Sequence, residues 1–300
     1  MPVRLFSYMA GFMRRAILVV LHAFGVVFGH LLCVFRCRRQ YTFSRINIEL
    51  CREGLNAEQS CDCLIAKSLR EFGKLLFETT FMWACPWLFK DRSIRNIYGE
   101  ESLRKSLLHG KSVVLVCPHL GNWEVFNLYL GKFKAISTYK PLKTKLLDAW
   151  IKWARESNGS TLVPINQTGI KLVCSQLRKG GVVMILADQV PERSSGRAKV
   201  PFFGVMAWTG TMVSRLAQQS NVEVMFGFAR RLPKAKGFDI HLLPAPDGVY
   251  SSDLEESAAS LNTGVENCIR ISPEQYLWQY KRFKGGIHPE LYYKQRTHST

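Results

Sequence analysis

What most constrains this chain is an aliphatic run closed by a proline, Val113-Val114-Leu115-Val116-Cys117-Pro118. β-Branched and aliphatic side chains in unbroken succession read as a buried strand. Pro118 ends the ladder, because it has no backbone N–H and restricts the residue before it. Directly beyond it stand His119, Gly121, Asn122 and Glu124. This is the strand-end position at which open α/β sheets place their chemistry.

A histidine can take a proton from a hydroxyl, and a nearby carboxylate can fix its tautomer and stabilise the imidazolium. On a regular helix, residues five apart point to rather different faces. A turn at Gly121 would bring Glu124 back towards the His119 ring. Spacing alone leaves a second possibility open: a loop histidine and an unrelated helix carboxylate.

The rest of the chain repeats the strand–helix theme. Residues 182–187 (VVMILA) form a second apolar strand, and it too ends in a polar pair, Asp188-Gln189. Asp188 suits either a cationic neighbour or the cap of a turn. Residues 222–229 read as a third strand, with 238–243 pairing beside it. Helices are expected over 57–82 (capped by Asn56), 145–157, 169–178, 209–220 and 253–271. Together these indicate an α/β fold, a mixed central sheet flanked by helices. The Ser- and Arg-rich stretch from Pro191 to Lys199 is expected to be a loop over the site.

Residues 16–35 contain no Asp, Glu, Lys or Arg. Twenty such residues make a helix of about 30 Å, enough to cross a bilayer core. His22 and His30 lie eight apart on one face, unusual for a span. Three placements remain: a spanning anchor, an amphipathic helix in the interface, or a core helix. Either membrane placement is preferred, with the larger basic mass after residue 35 favouring a cytoplasmic body. Trp83, Trp87, Leu88 and Phe89 form an aromatic cluster suited to core packing or to lipid contact.

The balance of 41 Lys+Arg against 23 Asp+Glu gives a formal charge of +18. Such a field draws an anionic membrane surface or an acidic protein. No zinc-finger, RRM or basic-heptad pattern accompanies it, so nucleic acid is not an expected partner. The nine cysteines are scattered without a C-x-x-C pair and are expected to be free thiols, Cys117 among them as core packing. No metal or nucleotide cofactor is expected, since neither a Walker loop nor a Rossmann glycine pattern is present.

His119-Leu-Gly-Asn-Trp-Glu124 resembles the His-x4-Asp/Glu motif of glycerolipid acyltransferases. With Gly-Asn-Trp inside it, the motif is similar to that of the late (lauroyl and myristoyl) acyltransferases of lipid A biosynthesis. Further blocks match that family in order: Tyr139-Lys140-Pro141-Leu142, Arg155 ahead of Asn158-Gly159, Gly180-Gly181 through Asp188-Gln189, Val200-Pro201-Phe202-Phe203-Gly204, Asn262 with Glu266, and Pro273 to Lys284. Tyr280 stands where the family more usually has histidine. The resemblance spans roughly residues 10–285.

The resemblance implies a glycerolipid-acyltransferase-like catalytic domain over 41–285, a membrane-anchoring helix with basic flanks over 1–40, and a basic tail over 286–300. It implies transfer of a fatty acyl chain from acyl carrier protein to a hydroxyl of a Kdo-bearing lipid A precursor, at the bacterial inner membrane on its cytoplasmic side. His119 would act as general base with Glu124 as its partner. Asn122 or backbone amides would meet the oxyanion. Lys140 and Arg155 would contact acceptor phosphates, as Arg and Lys side chains suit. Asp188 and Gln189 would lie at the substrate, and Phe202, Phe203 and Gly204 would line an acyl channel or anchor their loop. Three rivals remain: acylation of another lipid (a mannosylated phosphoinositide or an ornithine lipid), hydrolysis, and lipid binding without catalysis. The absence of Gly-x-Ser-x-Gly counts against the usual hydrolase.

Overall fold

A computed structural model describes residues 2–36, 38–55, 59–89, 93–192, 195–285 and 293. Three helices open the chain: α1 (Pro2–Val34), α2 (Arg38–Leu55) and α3 (Cys61–Ala84). An alternation follows of β1 (Ile94–Tyr98), α4 (Glu100–Leu108), β2 (Ser112–Val116), α5 (Trp123–Leu130), β3 (Ile136–Tyr139), α6 (Lys145–Glu156), β4 (Thr161–Pro164), α7 (Gln167–Arg178) and β5 (Val182–Ile185). The chain closes with β6 (Arg197–Phe202), β7 (Val205–Gly210), α8 (Met212–Ala217), β8 (Val222–Arg231), β9 (Phe238–Pro244) and α9 (Leu254–Ile271).

Seven strands form one mixed sheet in the order β1-β9-β8-β2-β5-β3-β4. β2 lies at its centre, parallel to both β5 and β8, while β8 and β9 pair antiparallel. Every residue of β2 and β5 is buried, because core clusters cover both faces of the sheet. Val114 and Val116 face one cluster, Val113 and Leu115 the other. That two-sided cover is why these strands read as uninterrupted aliphatic runs.

Several expectations change. Residues 205–210 form a strand, so the helix expected from Thr209 begins only at Met212. It pairs with β6 as a separate hairpin, closed by Phe203 and Gly204 with φ of 47° and 78°. Successive positive φ values of this kind mark the two-residue turn that matches strand twist. Helix α3 starts at Cys61, capped by the Ser60 side chain on the Cys63 amide; Asn56, expected as that cap, lies outside the described residues. The tail expected at 286–300 also lies outside them except for Tyr293, whose hydroxyl donates to Asn47 Oδ1. The aromatic cluster splits, with Phe89 buried and Trp87 exposed. All eight described cysteines are free.

Candidate active site

The parallel register of β2 with β5 builds the site. Val116 lies opposite Ile185, and His119 and Asp188 each stand three residues further on. Their side chains meet at 2.6 Å between Nδ1 and Oδ1, and the second Asp188 oxygen accepts from the His119 amide at 2.9 Å. The His119 carbonyl in turn accepts from the Leu277 amide. Three bonds thus fix the residue, while the Trp123 ring packs edge-on against the imidazole, 4.9 Å between centroids.

Asp188 is a buried carboxylate; the His119 side chain keeps 14% exposure. Burial alone would lift the Asp188 carboxyl. The neighbouring His119 ring and its hydrogen bonds outweigh that and hold it below the usual range, with a smaller contribution from Arg282. A carboxylate on Nδ1 assigns the proton there and leaves Nε2 with its lone pair. Gln189 Nε2 lies 3.1 Å from that atom, in the direction from which a hydroxyl would donate.

The carboxylate that bonds His119 is therefore Asp188, not Glu124 as the resemblance implies. Glu124 sits in the first turn of α5 and accepts from Arg155 through Nε at 2.9 Å and Nη2 at 2.5 Å. The turn at Gly121 does not fold Glu124 back towards the ring, because it is pressed onto β8. Gly121 has φ of 65°, its amide donates to Gln275, and the next amide donates to Ala229. A side chain at 121 would run into the Ala229 carbonyl. The Glu124–Arg155 pair instead ties α5 to α6, and Arg155 also lies over the Trp83 ring.

Asn122 is fully buried. Its Oδ1 caps α5 by accepting from the Glu124 and Val125 amides, and its Nδ2 donates to Glu78 Oε2. Its polar atoms are committed to the fold, so it does not offer the oxyanion donor expected of it. Phe202 and Phe203 are likewise buried, packed on Tyr276, Trp278 and Phe283, so they anchor the hairpin to the body.

A sequence profile of the bacterial lipid A biosynthesis acyltransferases matches residues 8–285. The chain belongs to that family. It is 32% identical over 272 residues to a lipid A biosynthesis lauroyltransferase of Escherichia coli (strain K12), covering 88% of this chain and 85% of the relative. A lipid A biosynthesis palmitoleoyltransferase of the same organism is 29% identical over 254 residues, 82% and 79% of the two chains. A phosphatidylinositol mannoside acyltransferase of Mycobacterium tuberculosis matches at 30% over 117 residues, 37% and 36% of the chains.

In this acyltransferase Lys140 follows β3, so it shares the carboxyl edge of the sheet with His119 and Asp188. It is exposed and bonds Glu192 at 2.6 Å, joining β3 to the segment after Gln189. Tyr280, at the position where the family more usually has histidine, accepts from the Val190 amide through its hydroxyl. Two buried arginines carry roles that the sequence does not announce, Arg282 although it stands in the matched block from Pro273 to Lys284. Arg282 donates to Trp208, Thr209 and Asn262. Arg231 grips Glu78 through Nε and Nη2 at 2.6 and 2.5 Å and reaches Glu71 through Nη1. Arg231 follows Arg230, and Arg282 stands between Lys281 and Phe283-Lys284, so each reads as part of a basic cluster, which a single sequence does not distinguish from surface charge.

Proposed function

We propose that this enzyme is membrane-bound and transfers a fatty acyl chain from an acyl carrier protein thioester to a hydroxyl of a Kdo-bearing lipid A precursor. The observation that carries the chemistry is the His119–Asp188 pair at the carboxyl ends of β2 and β5. The acceptor comes from the family, whose long matches are all lipid A acyltransferases. The mannoside acyltransferase aligns over little more than a third of the chain.

In this reading the acceptor hydroxyl takes the place of the Gln189 amide at His119 Nε2. Its oxygen attacks the thioester carbonyl carbon while its proton passes to Nε2. The tetrahedral intermediate then expels the thiolate, which takes the proton back from Nε2, leaving an ester and a free carrier thiol. Asp188 keeps the second ring proton on Nδ1 and stabilises the transient imidazolium. The thioester is already activated, so no enzyme nucleophile is required. Cys117, the thiol closest in sequence, is buried, and burial pushes its pKa well up, which does not suit nucleophilic work. Lys140, exchanging Glu192 for a phosphate, is the preferred contact for the acceptor headgroup.

The test is a transfer assay with the purified enzyme, a panel of acyl carrier protein and coenzyme A thioesters, and both a lipid A precursor and a mannosylated phosphoinositide as acceptors, read by mass spectrometry. One added acyl chain on the lipid A precursor, lost in His119→Ala, is expected. Addition only to the phosphoinositide would overturn the acceptor. Transfer that survives in His119→Ala would overturn the general base.

A further inference from the structure

Helix α1 contains Met13–Val34, a segment of 22 residues long and apolar enough to cross a membrane. One face of it is not free to meet lipid. Leu18, Gly25, Gly29 and Leu32 are buried, and they recur at helical spacing. This face lies on α3 so closely that a side chain at Gly25 or Gly29 would collide with the backbone at Lys74 or Arg70. The contact from Leu18 to Leu32 extends for about 21 Å.

Along that contact α3 presents Gly73 and Phe77, with charged groups among them. At the middle of the segment His22 Nε2 meets Glu78 at 2.5 Å. Glu78 is in turn held by Arg231 and by Asn122, the cap of the helix that follows the His119 turn. Beside Val26 opens a groove of about 490 Å³ lined by Lys67, Arg70, Glu71, Lys74 and Glu274. If α1 crossed the bilayer, these groups and the catalytic turn would lie near mid-depth, where ionised side chains are costly to place. The opposite face of α1 has a different character: Val20, Phe24, Val27, Leu31 and Val34 form an exposed apolar stripe, with exposed Arg15 and Arg36 near its ends. A helix with one flank docked against a helix that carries charged groups and one exposed apolar flank between cations matches the chemistry of a bilayer interface.

We propose that α1 does not cross the membrane but lies in its plane, with the Val20–Val34 stripe sunk into the acyl boundary of an anionic leaflet. This rests on the membrane-bound reading above and goes beyond it in assigning the orientation. The docked geometry then sets the body against the leaflet with α3 and the His22–Glu78 contact on the aqueous side of α1. The catalytic turn is held at a fixed height above the acyl boundary, where an acylated acceptor embedded in the same leaflet presents its headgroup and hydroxyls.

The test uses the full chain with nitroxides introduced singly at Val20→Cys, Phe24→Cys, Val27→Cys, Leu31→Cys and Val34→Cys, in a background depleted of native cysteines that retains transferase activity. Each protein is reconstituted into vesicles of phosphatidylethanolamine and phosphatidylglycerol. Depth is read from the relative accessibility to oxygen and to a water-soluble nickel chelate. All five labels are expected at a common shallow depth of about 5–10 Å. A profile deepest near Phe24 and rising by about 15 Å to Val34, as 1.5 Å per residue requires of a spanning helix, would overturn the proposal. So would labels that stay in water. Transfer activity measured in detergent on the same proteins is independent of both outcomes, so failure of the orientation is separable from failure of the reaction.

Discussion

His119 and Arg231 flank the same turn, each is pinned by a buried carboxylate, and they differ in what they leave unused. Arg231 is buried, with Nε and both terminal nitrogens bonded to Glu78 and Glu71. His119 is held just as firmly through its amide, its carbonyl and Nδ1, yet among the described residues Nε2 has the exposed Gln189 amide as its hydrogen-bond partner. A saturated ion pair carries structure. One with a single reactive atom left over is suited to chemistry, because the same carboxylate orients the ring and can stabilise the charge it would gain.

The largest effect should come from emptying the proposed catalytic pair. His119→Ala is expected to lower transfer by about 10²–10⁴-fold, the usual contribution of a positioned base. Asp188→Asn should lower kcat by a comparable factor with little change in acceptor KM, while Glu124→Gln should act mainly through stability by loosening α6. Steady-state kinetics beside thermal melts separate the cases. If Glu124→Gln lost kcat at an unchanged melting temperature and Asp188→Asn did not lose it, the sequence-neighbour carboxylate would be the partner after all.

That confusion shows what a single sequence carries. β2, β5 and β8 were legible because strands covered on both faces leave long aliphatic runs. β1, with Arg95 and Asn96 exposed at the sheet edge, leaves no such trace, and the first half of β6, Arg197 to Lys199, falls in the stretch expected as loop. His119 and Asp188 were each visible as polar residues closing an apolar strand. What joined them was register, the pairing of Val116 with Ile185 across two parallel strands, and nothing local to either segment encodes it. Glu124 stood nearer in sequence, and proximity in sequence substituted for proximity in space. Arg231 failed to register for the opposite reason: its partners Glu71 and Glu78 lie about 150 residues away on a helix that reads as ordinary and amphipathic.

Breaking the saturated pair should cost stability and spare the chemistry once folded. Glu78→Gln or Arg231→Met is expected to destabilise by up to about 3–5 kcal/mol, since each takes the main counter-charge from a buried partner, and the double variant should cost less than the two singles together. Acid gives the same comparison without mutation. Burial alone would raise Glu78, but Arg231 and His22 pull it down to about 2. A folded value below the unfolded one of about 4.3 gives stability that is full above that pH and drains as pH falls towards 2. Asp188 is shifted in the same direction. Urea midpoints measured between about pH 6 and pH 2.5 should therefore fall steeply in the native protein and less in Glu78→Gln. An equal slope in both would assign the acid sensitivity to other carboxylates.

The smallest effect belongs to Lys140 and Glu192, an exposed pair of the third kind, neither saturated nor buried. Each raises the other's charged fraction through their hydrogen bond: Lys140 is shifted up and Glu192 down. Solvent screening makes such a pair nearly neutral for stability, so Lys140→Ala should leave the melting temperature unchanged. If the lysine exchanges Glu192 for an acceptor phosphate, its removal should raise the acceptor KM a few-fold at unaltered kcat, the mark of binding lost equally from ground and transition states. Glu192→Ala removes the competitor and should lower that KM. Both differences should shrink as salt is added, because the charges involved are exposed. Equal KM values in all three proteins at low ionic strength would reduce the pair to a solvated surface contact. The carboxyl edge would then have to recognise its acceptor through groups other than Lys140.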